Sequence, residues 1–109
     1  MDVSTSAGAI LKIIQSRKKV HSKELLEFTR YLKERAIQLY TYKIDYMGHP
    51  NSTDYWDDLS LLASSGLIGF KGENPTLFIT ERGLKTIDEL GLELPPQIDE
   101  ALTEFRWRK

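Results

Sequence analysis

Cysteine is absent from this 109-residue chain. That removes disulfide frameworks, thiolate metal sites and cysteine nucleophiles together. Histidine is nearly as scarce, with only His21 and His49 present. Asp45, Asp54, Asp57 and Asp58 lie near His49 in sequence, but their spacing matches no recognised ligand box. No metal and no cofactor is expected. Gly66, Gly69 and Gly72 form neither a dinucleotide fingerprint nor a phosphate-binding loop, and no nucleophile–base pair can be nominated. The chain therefore reads as a protein that is not an enzyme. Long apolar runs are missing too. The longest, residues 59–70, is broken by Ser60, Ser64 and Ser65 and falls well short of the ~20 residues that cross a bilayer. The first residues do not follow a signal-peptide pattern. These features lead to the expectation of a cytoplasmic protein with no membrane contact.

A charge excess of one sign is lacking as well, the net charge being −1. The chain as a whole is not a polybasic nucleic-acid binder. Its distribution is less even, however. Residues 1–43 hold nine Lys/Arg against four Asp/Glu, and residues 44–109 hold six against twelve. Such asymmetry marks a candidate interaction surface.

What is present is the composition of an ordinary globule, 40% apolar and 28% charged, at a length that supports one core. Ala9, Ile10, Ile13 and Ile14 predict a first helix over residues 6–17, followed by a basic loop, "RKKV". Ser22 is a candidate N-cap. Leu25, Phe28, Thr29, Leu32, Ala36 and Leu39 then recur at helical spacing and predict a second helix of about 17 residues. The aromatic alternation of "YTYKIDYM" (40–47) predicts a strand. "GHPNS" breaks the chain. Ser52 or Thr53 caps a third helix whose inward face carries Tyr55, Trp56, Leu59, Leu62 and Ala63, and Gly66 ends it. Residues 67–70 and 76–79 predict a hairpin around "KGENP". Thr80 caps a fourth helix carrying Leu84, Ile87 and Leu90. "GLELPP" reads as a linker, and residues 97–107 as a last helix ending in the basic "RWRK".

Two stretches, "DLSLLASSGLIGF" (58–70) and "LFITERGLKTIDEL" (77–90), resemble the winged helix-turn-helix superfamily. In it an amphipathic helix runs into a Gly-Leu-Ile strand. The ribbon returns as apolar–apolar–Thr, and the next helix opens on a charged residue, Gly and Leu. "YKIDYMGHPNSTDYWDDLSLL" is similar to the small prokaryotic, archaeal or phage-type regulators of this superfamily. The resemblance covers about residues 6–90. It implies an α+β, mostly helical fold with a two- to three-stranded β-wing and an extra C-terminal helix. Residues 1–92 would form the winged helix-turn-helix domain, and residues 93–109 a linker and C-terminal helix. It also implies a cofactor-independent DNA-binding protein in transcription regulation, its partner double-stranded DNA. The alternative is a protein–protein interaction module that keeps the fold without specific DNA readout.

The residues themselves qualify these expectations. The third helix, which the resemblance makes the recognition helix, presents Thr53, Asp54, Asp57, Ser60, Leu61 and Ser64 on its outer face. It offers no Arg, Lys, Asn or Gln for bidentate base contact, and its carboxylates repel phosphate. Thr53 and Ser60 remain as neutral contacts, and the acidic face with Leu61 suits a protein partner. The cations that would meet the backbone are Arg17, Lys18 and Lys19 upstream and Lys23, Arg30 and Lys33 on the second helix. Lys71 and Asn74 on the wing, and Arg82 beyond it, would assist. Lys23–Glu27 and Arg30–Glu34 also read as i,i+4 pairs on a solvated helix. The apolar stripe Ile98, Ala101, Leu102 and Phe105, with Trp107 beyond it, wants a partner surface. A homodimer interface of Ile98, Leu102, Phe105 and Trp107 is favoured over folding back.

Overall fold

In the computed structural model, which describes residues 5–37, 43–44, 50–72 and 75–107, the first helix, α1 (Thr5–Arg17), is the hub of the core. Ala7, Ile10, Leu11, Ile13 and Ile14 are all fully buried. A helix covered over so much of its circumference needs neighbours on several sides. It has them in the sheet strand β5 (Thr76–Ile79) and in helices α3 (Thr53–Ser64) and α4 (Glu81–Leu90).

Among the described residues the architecture is α+β and mostly helical, with five helices and a three-stranded antiparallel sheet. The sheet runs β1 (Lys19–His21), β5, β4 (Ile68–Lys71). The basic segment expected to be a loop thus supplies an edge strand, entered through Lys18 at φ +68°. Three residues are too few for their alternation to stand out in sequence. The pairing becomes visible only when Val20 meets Leu77 across the strands.

The second helix, α2 (Ser22–Glu34), is shorter than the periodicity predicts. Ala36 adopts φ +66°. Its amide donates to the Lys33 carbonyl at 3.0 Å, and that of Ile37 donates to Leu32 at 2.9 Å. This is the closing pattern usually built on glycine, so Ala36 lies beyond the helix and not on its stripe. Leu39 falls outside the described residues. Ser22 is not the cap either. His21 holds that position without a side-chain bond, and the Ser22 amide donates to the Pro75 carbonyl at 3.0 Å. Of the strand expected over residues 40–47, Lys43–Ile44 (β2) pairs with Pro50–Asn51 (β3), and the remainder lies outside the described residues.

The caps of α3 and α4 are those the sequence predicts. Ser52 Oγ accepts from the Tyr55 amide at 3.3 Å, and Gly66 closes the helix at φ +77°. Thr80 Oγ accepts from Gly83 N at 3.0 Å while its hydroxyl donates to the Gly66 carbonyl at 2.6 Å. One side chain thereby joins the end of α3 to the start of α4. Tyr55, fully buried, donates to the Ser22 carbonyl at 2.5 Å and ties α3 to the start of α2.

The inward face of α4 is rotated from the expected one. Gly83 and Ile87 are buried, whereas Leu84 and Leu90 are largely exposed. Gly83 explains the rotation, because a Cβ there would run into the Leu67 carbonyl oxygen and lie 2.9 Å from Ile79 Cγ1. The helix packs by its bare backbone. In an unconstrained helix Gly→Ala stabilises by up to about 1 kcal/mol. Here the clash reverses the sign, and Gly83→Ala is expected to cost about 2 kcal/mol and lower the Tm by about 10 °C. A calorimetric scan checks this, and an unchanged or raised Tm would contradict the close approach.

The last helix, α5 (Pro96–Glu104), folds back onto the same core. Ile98 and Ala101 are buried, and Leu102, Phe105 and Trp107 pack against the core cluster. Phe28 of α2 meets Phe105 edge-on at 5.1 Å and Trp107 at 4.9 Å. The four residues assigned to a dimer contact are thus in use within the chain, because α2 and the end of α1 leave Phe28 and Tyr31 uncovered without them.

Candidate nucleic-acid interface

The register of the sheet decides which side chains share a surface. Lys19, Phe78 and Gly69 stand in one cross-strand row, and His21, Thr76 and Lys71 in another. Alternation along a strand puts both rows on the same face. The rows between them, Val20, Leu77 and Phe70, with Ile68 and Ile79, face the other way. Burial agrees. Val20, Leu77 and Ile68 are buried, whereas Lys19, His21, Lys71 and Phe78 are exposed.

The outer sheet face is therefore cationic with an aromatic centre. The Phe78 ring lies over Gly69, where any Cβ would collide with it. His21 Nδ1 is 3.3 Å from Thr76 Oγ1, linking the edge strand to the middle one. Adjacent strands are about 4.8 Å apart, so His21 and Lys71, with Thr76 between them, lie roughly 10 Å apart at their Cα atoms. Lys18 immediately precedes the edge strand and Lys23 lies in the first turn of α2 that follows it, both of them exposed. No carboxylate among the described residues pairs with Lys18, Lys19, Lys23 or Lys71 within salt-bridge distance. Lys19 and Lys71, expected in a loop and on the wing, stand on one face of the sheet.

The remaining cations disperse. The Arg17 guanidinium lies 4.5 Å from the centroid of the Trp107 ring and is held toward α5. Lys33 is exposed and Arg30 half-buried. The open side of α2 on which Lys23 and Arg30 lie also exposes Glu27 and Glu34, so it alternates in sign and is not a basic stripe. The Arg82 side chain runs past Gly66, its Cδ 3.5 Å from where a Cβ would stand. Thr53 and Ser60 are exposed on α3. Asn74 lies outside the described residues.

Helix α3 carries three aspartates and no cation. Asp58 accepts from the Ser6 hydroxyl at 2.7 Å and belongs to the packing of α1. Asp54 and Asp57 are exposed, as is Leu61. The outer face expected of this helix is the one observed. Among the described residues no group of three His, Asp or Glu gathers as a metal site. His49 and Asp45 fall outside them. No helix of the described chain is long and apolar enough to cross a membrane.

What sequence reasoning missed is the strand β1 and, through it, the placement of Lys71 on the same face as Lys19. The one available signal was Val20 between two polar residues, too short a pattern to outweigh a loop. Compared with protein-family models, curated proteins and solved structures, the chain matches none.

Proposed function

We propose that this chain is a winged-helix DNA-binding protein of regulatory type that holds duplex DNA by its phosphates, through the outer face of the three-stranded sheet. The observation that carries the reading is the sheet register. It sets Lys19 and Lys71 on one surface, and the exposed Lys18 and Lys23 flank the edge strand in sequence. The element order supports it too. Three helices, an antiparallel ribbon and a fourth helix follow one another in the order that the superfamily resemblance implies. Lysine ammonium groups bind phosphate as point charges and carry no base code. Binding of this kind is salt-dependent and weakly selective. The apolar residues of α5 pack on the chain's own core.

A second reading, a protein-interaction module without DNA readout, is favoured by the exposed Asp54 and Asp57 on a helix with no cation. Titration of a fluorescent duplex at two salt concentrations separates the two. Binding at low salt that falls steeply with added salt supports the first reading. No binding at low salt transfers the function to the second.

A further inference from the structure

The ribbon has a second face with different chemistry. Between it and α3 lies a cleft of about 150 Å³. Its floor is Leu59, Ile68 and Leu77, all buried in the core. Trp56 and Ala63 form the helix wall, and Phe70 and Pro75 the ribbon wall. Phe70 is 63% exposed, the most exposed large apolar side chain of the described chain. An aromatic ring left in water at the lip of an apolar cleft is the kind of feature that marks a contact surface.

Size limits the occupant. Pockets for cofactors and drug-sized ligands run to about 300–1,000 Å³, and this cleft is well below that range. A space of about 150 Å³ takes a benzene-sized group, which is to say one leucine or phenylalanine side chain. Single anchors seated in small pockets are how short protein segments gain most of their affinity. Charge selects the rest of the segment. The helix wall belongs to α3, which carries no cation and exposes Asp54 and Asp57. Asp57 is exposed, next in sequence to Trp56 and one helical turn before Ser60, both of which line the cleft. A phosphate backbone is repelled there, and Lys or Arg beside the anchor is attracted.

We infer that the α3–ribbon cleft docks a short basic segment of a partner protein, with one leucine- or phenylalanine-type side chain as its anchor. The site is separate from the cationic sheet face, because Phe70 and Phe78 project from opposite faces of the ribbon. It therefore does not depend on the DNA-binding reading.

The test uses the full chain and two capped peptides, KRLFKR and its acidic counterpart EDLFDE, with the Nε1–H NMR signals of Trp56 and Trp107 followed separately. The basic peptide is expected to shift the Trp56 signal saturably and leave Trp107 in place, and the acidic one to bind about tenfold more weakly or worse. Phe70→Ser and Asp57→Lys change exposed side chains. Each is expected to weaken the basic peptide by about three- to tenfold, and the uncharged change Phe70→Ser to do so without altering duplex affinity. Equal binding of the two peptides, no movement of Trp56, or indifference to both substitutions overturns the inference. Self-association at high concentration that Phe70→Ser abolishes would make a second copy the occupant. A Trp56 shift on adding duplex DNA would give the cleft to DNA. Either result also overturns it.

Discussion

Removing residues 97–109 is expected to abolish cooperative unfolding. The deletion takes away Ile98 and Ala101, both buried, and the partly buried Leu102, Phe105 and Trp107. Burial of a large apolar side chain contributes about 1.5–3 kcal/mol. The loss is therefore on the order of 5–10 kcal/mol, as large as the whole stability of many domains, about 5–15 kcal/mol. It also exposes the ring of Phe28, which now packs on Phe105 and Trp107. The ion pair between Arg35 and Glu104 goes too, but both side chains are substantially exposed and such a pair is worth about 0–1 kcal/mol. Apolar burial dominates. Urea denaturation followed by circular dichroism should show a broad, non-cooperative loss of helix in the truncated chain and a single transition in the full one. A truncated chain that melts sharply within a few degrees of the parent would show that α5 is dispensable. If it were also monomeric where the parent is dimeric, the apolar stripe would return to an intermolecular role.

Replacing Lys19 and Lys71 with Ala is expected to weaken duplex binding about ten- to hundredfold at low salt and to flatten its salt dependence. Each phosphate contact contributes about 0.9 to the log–log slope, so the pair removes about 1.8 if both lysines meet phosphate. The loss should be similar for unrelated sequences, since lysine–phosphate contacts carry no base information. Arg30→Ala with Lys33→Ala should cost less, because Glu27 and Glu34 share the open side of α2 with Arg30. Asp54→Asn with Asp57→Asn should strengthen non-specific binding by removing repulsion. Fluorescence anisotropy across a salt series measures all three pairs. The sheet-face assignment fails if the α2 pair outweighs the sheet pair. It fails differently if the aspartate substitutions abolish binding, which would make α3 a direct reader of bases.

The legible parts of the fold are those whose signal is local. Helix α1 announces itself through Ile10, Ile13 and Ile14. Ser52 and Thr80 mark the starts of α3 and α4 by side-chain oxygens that accept from amides three residues on. Gly66 marks an end, because a left-handed backbone there carries no steric cost for glycine. The outer face of α3 follows from helical spacing once the inner face is fixed by Tyr55, Leu59 and Leu62. The end of α2 was not legible. Ala36 closes the helix in a left-handed conformation that alanine disfavours by about 1–2 kcal/mol, and nothing in its neighbourhood of the sequence announces it.

By itself, then, the sequence determined helices α1, α3, α4 and α5, the ribbon, the caps of α3 and α4 and the outer face of α3, since these depend on residues within a turn or two of one another. It also determined the acidity of α3, which no packing can change. Tertiary structure alone decided what shares a surface. The pairing of β1 with β5 carries Lys19 to the same face as Lys71, although 52 positions separate them. The close approach of Gly83 to Leu67 turns α4 so that Gly83 is buried beside Ile87 while Leu84 is exposed. The apolar stripe of α5 was plain in the sequence, but its destination was not. Periodicity states that a face must be covered, and only the packing of Phe105 and its neighbours on the rings of Phe28 and Tyr31 of α2 decides that this chain covers it with its own core.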